Sequence, residues 1–98
     1  MYEFGVGIDI HKSFLHVAVC TGTAVVTQRQ FGWSDEALTE LKALIRQHCN
    51  VVIAMEACTG AKHLSAQLAD LDVPVVVVDG RSFRQRFPKM GKKTVSAK

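Results

Sequence analysis

The chain has two prolines, one tryptophan and one tyrosine, and no acidic residue after Asp79. None of its apolar runs approaches the ~20 residues needed to span a bilayer. Met1-Tyr2-Glu3-Phe4 lacks the basic start and long apolar stretch of a signal peptide. A membrane span and secretion are excluded on this reading, and a cytoplasmic protein is expected. Cys20, Cys49 and Cys58 are odd in number, show no CxxC spacing, and each lies in or beside an apolar segment. A disulfide framework is thereby excluded and a zinc site disfavoured, so the three are expected as reduced thiols in or near the core.

What is present is an ordinary globular composition, 48% hydrophobic and 21% charged over 98 residues, which fits one domain with one modest core. Charge is unevenly placed. Residues 1–79 hold five Lys or Arg against nine Asp or Glu, net −4, whereas residues 80–98 hold seven Lys or Arg and no acid, net +7. Arg81, Arg84, Arg86, Lys89, Lys92, Lys93 and Lys98 thus follow an acidic body. Such a tail points to phosphate backbones, with a merely solubilising terminus as the alternative.

Tyr2 to Ile10 reads as a strand, with Phe4, Val6, Ile8 and Ile10 on one face and Gly5, Gly7 and Asp9 on the other. The short link His11-Lys12-Ser13 then permits only a tight reversal into a second strand, Phe14 to Cys20. A third, Ala24 to Phe31, carries Gln28, Arg29 and Gln30 and is placed at a sheet edge. Ser34 reads as the N-cap of a helix, with Trp33 and Leu38 as its hydrophobic staple and Leu38, Leu41 and Ile45 as its buried stripe. Val51 to Met55 is a short continuous apolar run, read as a parallel strand buried on both faces. A second helix starts near Thr59-Gly60, presents Leu64, Leu68 and Leu71, and stops before Val73-Pro74. Val75 to Val78 reads as another buried parallel strand. The domain is expected over residues 1–88, with a basic tail at 89–98.

Three strands in a meander followed by two crossovers through helices give a mixed five-stranded sheet, order 3-2-1-4-5, with the first strand at its centre. This is the RNase H-like arrangement. A Rossmann domain would need βαβ from the outset, and Gly5-Val6-Gly7 lies inside the first strand with no helix after it. In the expected sheet the first and fourth strands lie side by side, ~4.8 Å apart, and end at the same edge. Asp9 and Glu56 then converge, and two such carboxylates with open positions suit Mg²⁺ or Mn²⁺ and phosphodiester chemistry. The alternatives for each are an Asp that caps a turn and a Glu paired with a basic side chain.

Gly7-Ile8-Asp9-Ile10-His11-Lys12 and Met55-Glu56-Ala57-Cys58-Thr59-Gly60 resemble the two opening motifs of the DEDD transposases, a family that includes the Piv-type DNA invertases and the bridge-RNA-guided recombinases. The resemblance continues through Pro74-Val75-Val76-Val77-Val78 and Gly91-Lys92-Lys93-Thr94. It implies a RuvC-like fold in which Asp9 and Glu56 are the first two acids of a catalytic, metal-binding tetrad. It also implies DNA as substrate, a structured guide RNA in some members, and a homo-oligomer. The last two acids of the pattern fall on Val95 and Lys98, neither of which binds a divalent metal. The serine-bearing C-terminal domain of the family has no counterpart. On this reading the polypeptide is a remnant, a frameshifted product or an engineered piece with half a metal site, inactive alone.

The nucleic-acid contacts expected are Lys12, Arg81, Arg84, Arg86, Lys89, Lys92 and Lys93. His11 reads either as a neighbour of bound metal or phosphate or as a turn residue bonded to backbone. His16 and His48 read as structural, and His63 as part of a solvated helix face, with contact to DNA beside Lys62 as the alternative. Ser13 and Ser34 have no triad partners. Two other functions stay open at this point. One is a sugar-kinase or actin-like ATPase half-domain, whose first strand also ends in Gly-Ile-Asp, although His11-Lys12-Ser13-Phe14 fits a phosphate hairpin poorly. The other is a non-catalytic nucleic-acid-binding or dimerisation module.

Overall fold

A computed structural model of the chain describes residues 2–22 and 24–81. The elements in order are β1 (Phe4–Ile10), β2 (Leu15–Thr21), β3 (Ala24–Phe31), α1 (Asp35–Arg46), β4 (Val51–Glu56), α2 (Thr59–Gln67), a 3-10 turn (Ala69–Leu71) and β5 (Val75–Val78). The strands form one five-stranded sheet in the order β3-β2-β1-β4-β5, as expected. β1 pairs antiparallel with β2 and parallel with β4, so it is the central strand. The polar β3 lies at an edge, where its glutamines and arginine tolerate solvent. The reversal after Thr21 passes through Gly22 at φ +56°, a left-handed conformation that glycine adopts without steric cost.

Period-2 alternation sorts the sheet into two faces. Val6 and Ile8 of β1, Leu15, Val17 and Val19 of β2, and Val51, Ile53 and Met55 of β4 are buried in one cluster with the inward residues of both helices. Those are Leu38, Leu41, Leu44 and Ile45 from α1, and Ala61 and Leu64 from α2. Truncating a fully buried member such as Leu41 would cost ~2–5 kcal/mol. The second face carries Gly5, Gly7 and Asp9 on β1 beside His16, Ala18 and Cys20 on β2. There Ala18 and Ala54 centre a smaller cluster with Cys20, Val25 and Val78.

Local chemistry sets the helix starts and strand entries. Ser34 caps α1, its Oγ accepting from the Ala37 N–H at 3.1 Å, and Asp35 and Glu36 follow in the first turn. Asn50, left-handed at φ 54°, brings the chain from α1 into β4. Its carbonyl accepts from the Glu3 N–H at 2.9 Å and its amide donates to Glu3 Oε1 at 2.9 Å, which pins the start of β4 to β1. No helix among the described residues is long and apolar enough to cross a membrane.

Four expectations need correction. β1 starts at Phe4, and Tyr2 stands 53% exposed before it. β5 is not buried on both faces: it is the other edge strand, with Val76 and Val77 at 40% and 47% exposure. Leu71 belongs to the 3-10 turn, because the helix ends at Gln67 and the chain reverses at Asp72, left-handed at φ 55°. Only Cys20 is half-buried; Cys49 and Cys58 are exposed. The expected domain boundary at residue 88 lies outside the described residues.

Candidate metal centre

The parallel register of β1 and β4 pairs Gly7 with Ala54 and Ile8 with Met55. Asp9 and Glu56 are the next residues on the two strands, and both lie on the face opposite the helices. Both strands point the same way, so both carboxylates arrive at one edge, on backbones ~4.8 Å apart. Asp9 is also the register partner of His16, and Glu56 of Val78. A single row therefore crosses all five strands: Gln30, His16, Asp9, Glu56 and Val78.

Within that row His16 is buried at 7% exposure, and its Nε2 lies 2.9 Å from Gln28 Oε1, which accepts from the ring N–H. This agrees with its structural reading, although its place beside Asp9 adds a polar wall to the site. Asp9 keeps 19% side-chain exposure and is contacted by His11, whose Nε2 donates to Oδ2 at 3.2 Å. Its backbone N–H closes the turn onto the Phe14 carbonyl at 2.9 Å, which supports the turn reading of His11. Burial pushes the Cys20 thiol up, which makes it a poor nucleophile.

Beyond the strand ends the Ala57 N–H donates to the Val78 carbonyl at 2.7 Å, and α2 begins at once. Its early Gly60 packs closely: a Cβ there would stand 3.0 Å from Ile10 Cγ2 and 3.7 Å from the Trp33 ring, so Ile10 would have to give way to a side chain at this position. Ile10, His11, Lys12, Trp33, Cys58, Thr59 and Gly60 line an open cleft between the β1–β2 turn and the start of α2. Trp33, read from sequence only as a staple residue, donates its indole N–H to the His11 carbonyl at 3.2 Å. A half-buried indole needs such a partner, and that was the available signal.

Of the expected nucleic-acid contacts, Lys12 is exposed at the cleft and Arg81 is exposed beyond β5. Arg84, Arg86, Lys89, Lys92 and Lys93 lie outside the described residues, as do Val95 and Lys98. Among the described residues, no group of three or more His, Cys, Asp or Glu is gathered as a metal cage. The pair Asp9 and Glu56 nevertheless fits a hard divalent ion. Carboxylate oxygens from two adjacent strands, partly open to water, leave the coordination positions that Mg²⁺ or Mn²⁺ fills with solvent and substrate.

This strand order and helix placement are shared with solved structures. The chain is similar to Thermus thermophilus RuvC, with TM-score 0.58 and 16% identity, over 84% of this chain and 65% of that one. It is also similar to Archaeoglobus fulgidus Pelota, with TM-score 0.52 and 16% identity, over 99% of this chain and 36% of that one. The fold is RuvC-like, of the RNase H class. The chain spans just under two thirds of the RuvC structure's length. No curated protein sequence matches it. A family model described as transposase, of the IS110 DEDD type, matches residues 6–94. The chain belongs to that transposase family, and the resemblance read from its motifs is borne out.

Proposed function

We propose that this chain supplies the first two carboxylates of a divalent-metal site in a transposase that cleaves and transfers DNA strands. The observation that supports this most is the arrival of Asp9 and Glu56 on one face and at one edge of adjacent parallel strands. Mg²⁺ or Mn²⁺, when bound, brings concentrated positive charge to a phosphodiester whose negative charge grows during in-line displacement. Asp9 and Glu56, on neighbouring strands of the sheet, would hold that ion. Lys12 at the cleft and Arg81 after β5 position backbone phosphates, and Arg84, Arg86, Lys89, Lys92 and Lys93 supply the rest of the positive charge in the sequence for the same task. Residues 1–88 form the catalytic domain on this reading, and residues 89–98 open the segment that in relatives carries the remaining acids. A structured guide RNA and self-association belong to the same proposal.

The chain alone holds half of the site, because Val95 and Lys98 stand where the family pattern has acids. Lys98 brings a positive charge where a ligand belongs. Calorimetry with Mg²⁺ and Mn²⁺ tests this. The double variant Val95→Asp, Lys98→Asp should bind more tightly than the natural chain, and adding Asp9→Asn should remove the gain. Tight binding and DNA cleavage by the unaltered chain, both lost in Asp9→Ala, would contradict the incomplete site. DNA binding with no metal dependence in any variant would favour the non-catalytic module.

A further inference from the structure

We infer that His11 is a positioning residue for the metal site: its imidazole N–H fixes the Asp9 carboxylate in the orientation that receives the cation. The inference rests on the proposed role of Asp9 and adds a group outside the carboxylate set.

The contact itself is His11 Nε2 to Asp9 Oδ2 at 3.2 Å. A half-exposed imidazole with one hydrogen bond ordinarily swings between rotamers, at an entropy cost to any fixed geometry. His11 is held from three further directions. Its ring stacks on Phe14 with centroids 4.3 Å apart and planes 15° from parallel. Its backbone N–H donates to the Phe14 carbonyl at 2.9 Å. Its own carbonyl accepts from Trp33 Nε1 at 3.2 Å. Trp33 in turn is set by the close approach of Gly60 at the start of α2. A chain of packed contacts thus runs from α2 through Trp33 and His11 to Asp9.

The orientation has a chemical consequence. A donor on one carboxylate oxygen fixes the rotation of the group about its terminal torsion, which is otherwise broad and two-fold. It also fixes the tautomer, since an imidazole that donates through Nε2 keeps its proton there when the ring is neutral. Outer groups of this kind typically change metal affinity by 10–100-fold when removed. Two carboxylates are the acids that the described residues bring to this row of the sheet, so the orientation of each weighs more.

The test uses the full chain, ¹⁵N-labelled, titrated with Mn²⁺ and followed by paramagnetic broadening of the Asp9 and Glu56 amides. His11→Ala should weaken Mn²⁺ binding by about tenfold. His11→Gln, whose side-chain amide can donate to the same oxygen, should recover most of the loss. The imidazole nitrogens of the natural chain should report the Nε2–H tautomer before Mn²⁺ and after Mg²⁺, a signature that mere folding support would not produce. Unchanged affinity in His11→Ala overturns the inference. Equal losses in His11→Ala and His11→Gln also overturn it, because the cause would then be lost stacking on Phe14. The Nδ1–H tautomer in the natural chain overturns it even if the alanine variant fails to fold. Asp9→Asn separates the two levels: if it leaves Mn²⁺ binding intact, the metal site itself fails, and His11 with it.

Discussion

Removing one of the two acids should make the metal-free protein more stable. Adjacent parallel strands bring the Asp9 and Glu56 backbones within ~4.8 Å, with both side chains on one face that is partly open to water. Two like charges at a comparable distance repel by ~1–3 kcal/mol, taking effective dielectric constants between ~20 near the surface and ~80 in water. The face is partly open to water, which screens exposed charges, so the lower end of that range applies. Glu56→Gln keeps the size and the polar head of the side chain while removing the charge. In chelator it should stabilise the fold by ~1 kcal/mol, a rise of ~4–8 °C in melting temperature for a domain of this size. On the proposed metal site, Mg²⁺ would bind the folded form and stabilise the natural chain by mass action, so millimolar Mg²⁺ should narrow the gap. Thermal unfolding followed by circular dichroism, with and without Mg²⁺, reads both effects. A Glu56→Gln protein less stable than the natural chain in chelator, or an equal response of both to Mg²⁺, would refute the convergence of the two charges.

Nucleic-acid binding measured by fluorescence anisotropy should be weak, largely sequence-independent and steeply reduced by salt. Neutralising Arg84, Arg86, Lys92 and Lys93 together should remove most of it and flatten the salt dependence. Lys42→Met and Arg46→Met are the controls and should change little, because both side chains already pair with Asp70, at 3.0 Å and 3.7 Å. Ser34→Ala removes the α1 cap and should destabilise the fold by ~1 kcal/mol in urea unfolding. Lys42 beside Asp70 holds that carboxyl below its usual 3.8. The stabilisation from this pair is therefore present above that value and is lost as pH falls through the lowered one. Asp70→Asn should accordingly lower stability slightly at neutral pH, leave it unchanged well below the lowered value, and so flatten the acid limb of the stability profile.

The strand order was legible in the sequence because β1, β2 and β4 alternate or run apolar cleanly, and because links as short as His11-Lys12-Ser13 allow few topologies. Ser34 announced α1 by its own chemistry. The exposure of Val76 and Val77 was not legible. An all-valine run has no polar alternation, so nothing in it distinguishes a strand with two neighbours from one at the rim. Cys49 and Cys58 misled for a related reason, since each adjoins an apolar strand yet falls just outside it, after α1 and at the start of α2. The adjacency of Asp9 and Glu56 followed from counting along two paired strands. The grip of His11 on Asp9 did not, because it depends on which way a four-residue reversal closes and on an indole that arrives from a different part of the chain.

The most direct test of the account is an anomalous-scattering map from crystals of the 98-residue chain soaked in Mn²⁺. The expected result is a peak within coordination distance, ~2.0–2.2 Å, of one oxygen from Asp9 and one from Glu56. The Nε2 of His11 should remain on the other Asp9 oxygen. A peak held by other residues, or no peak while Asp9 and Glu56 point away from each other, would contradict the claim that this sheet edge is built to hold a divalent ion.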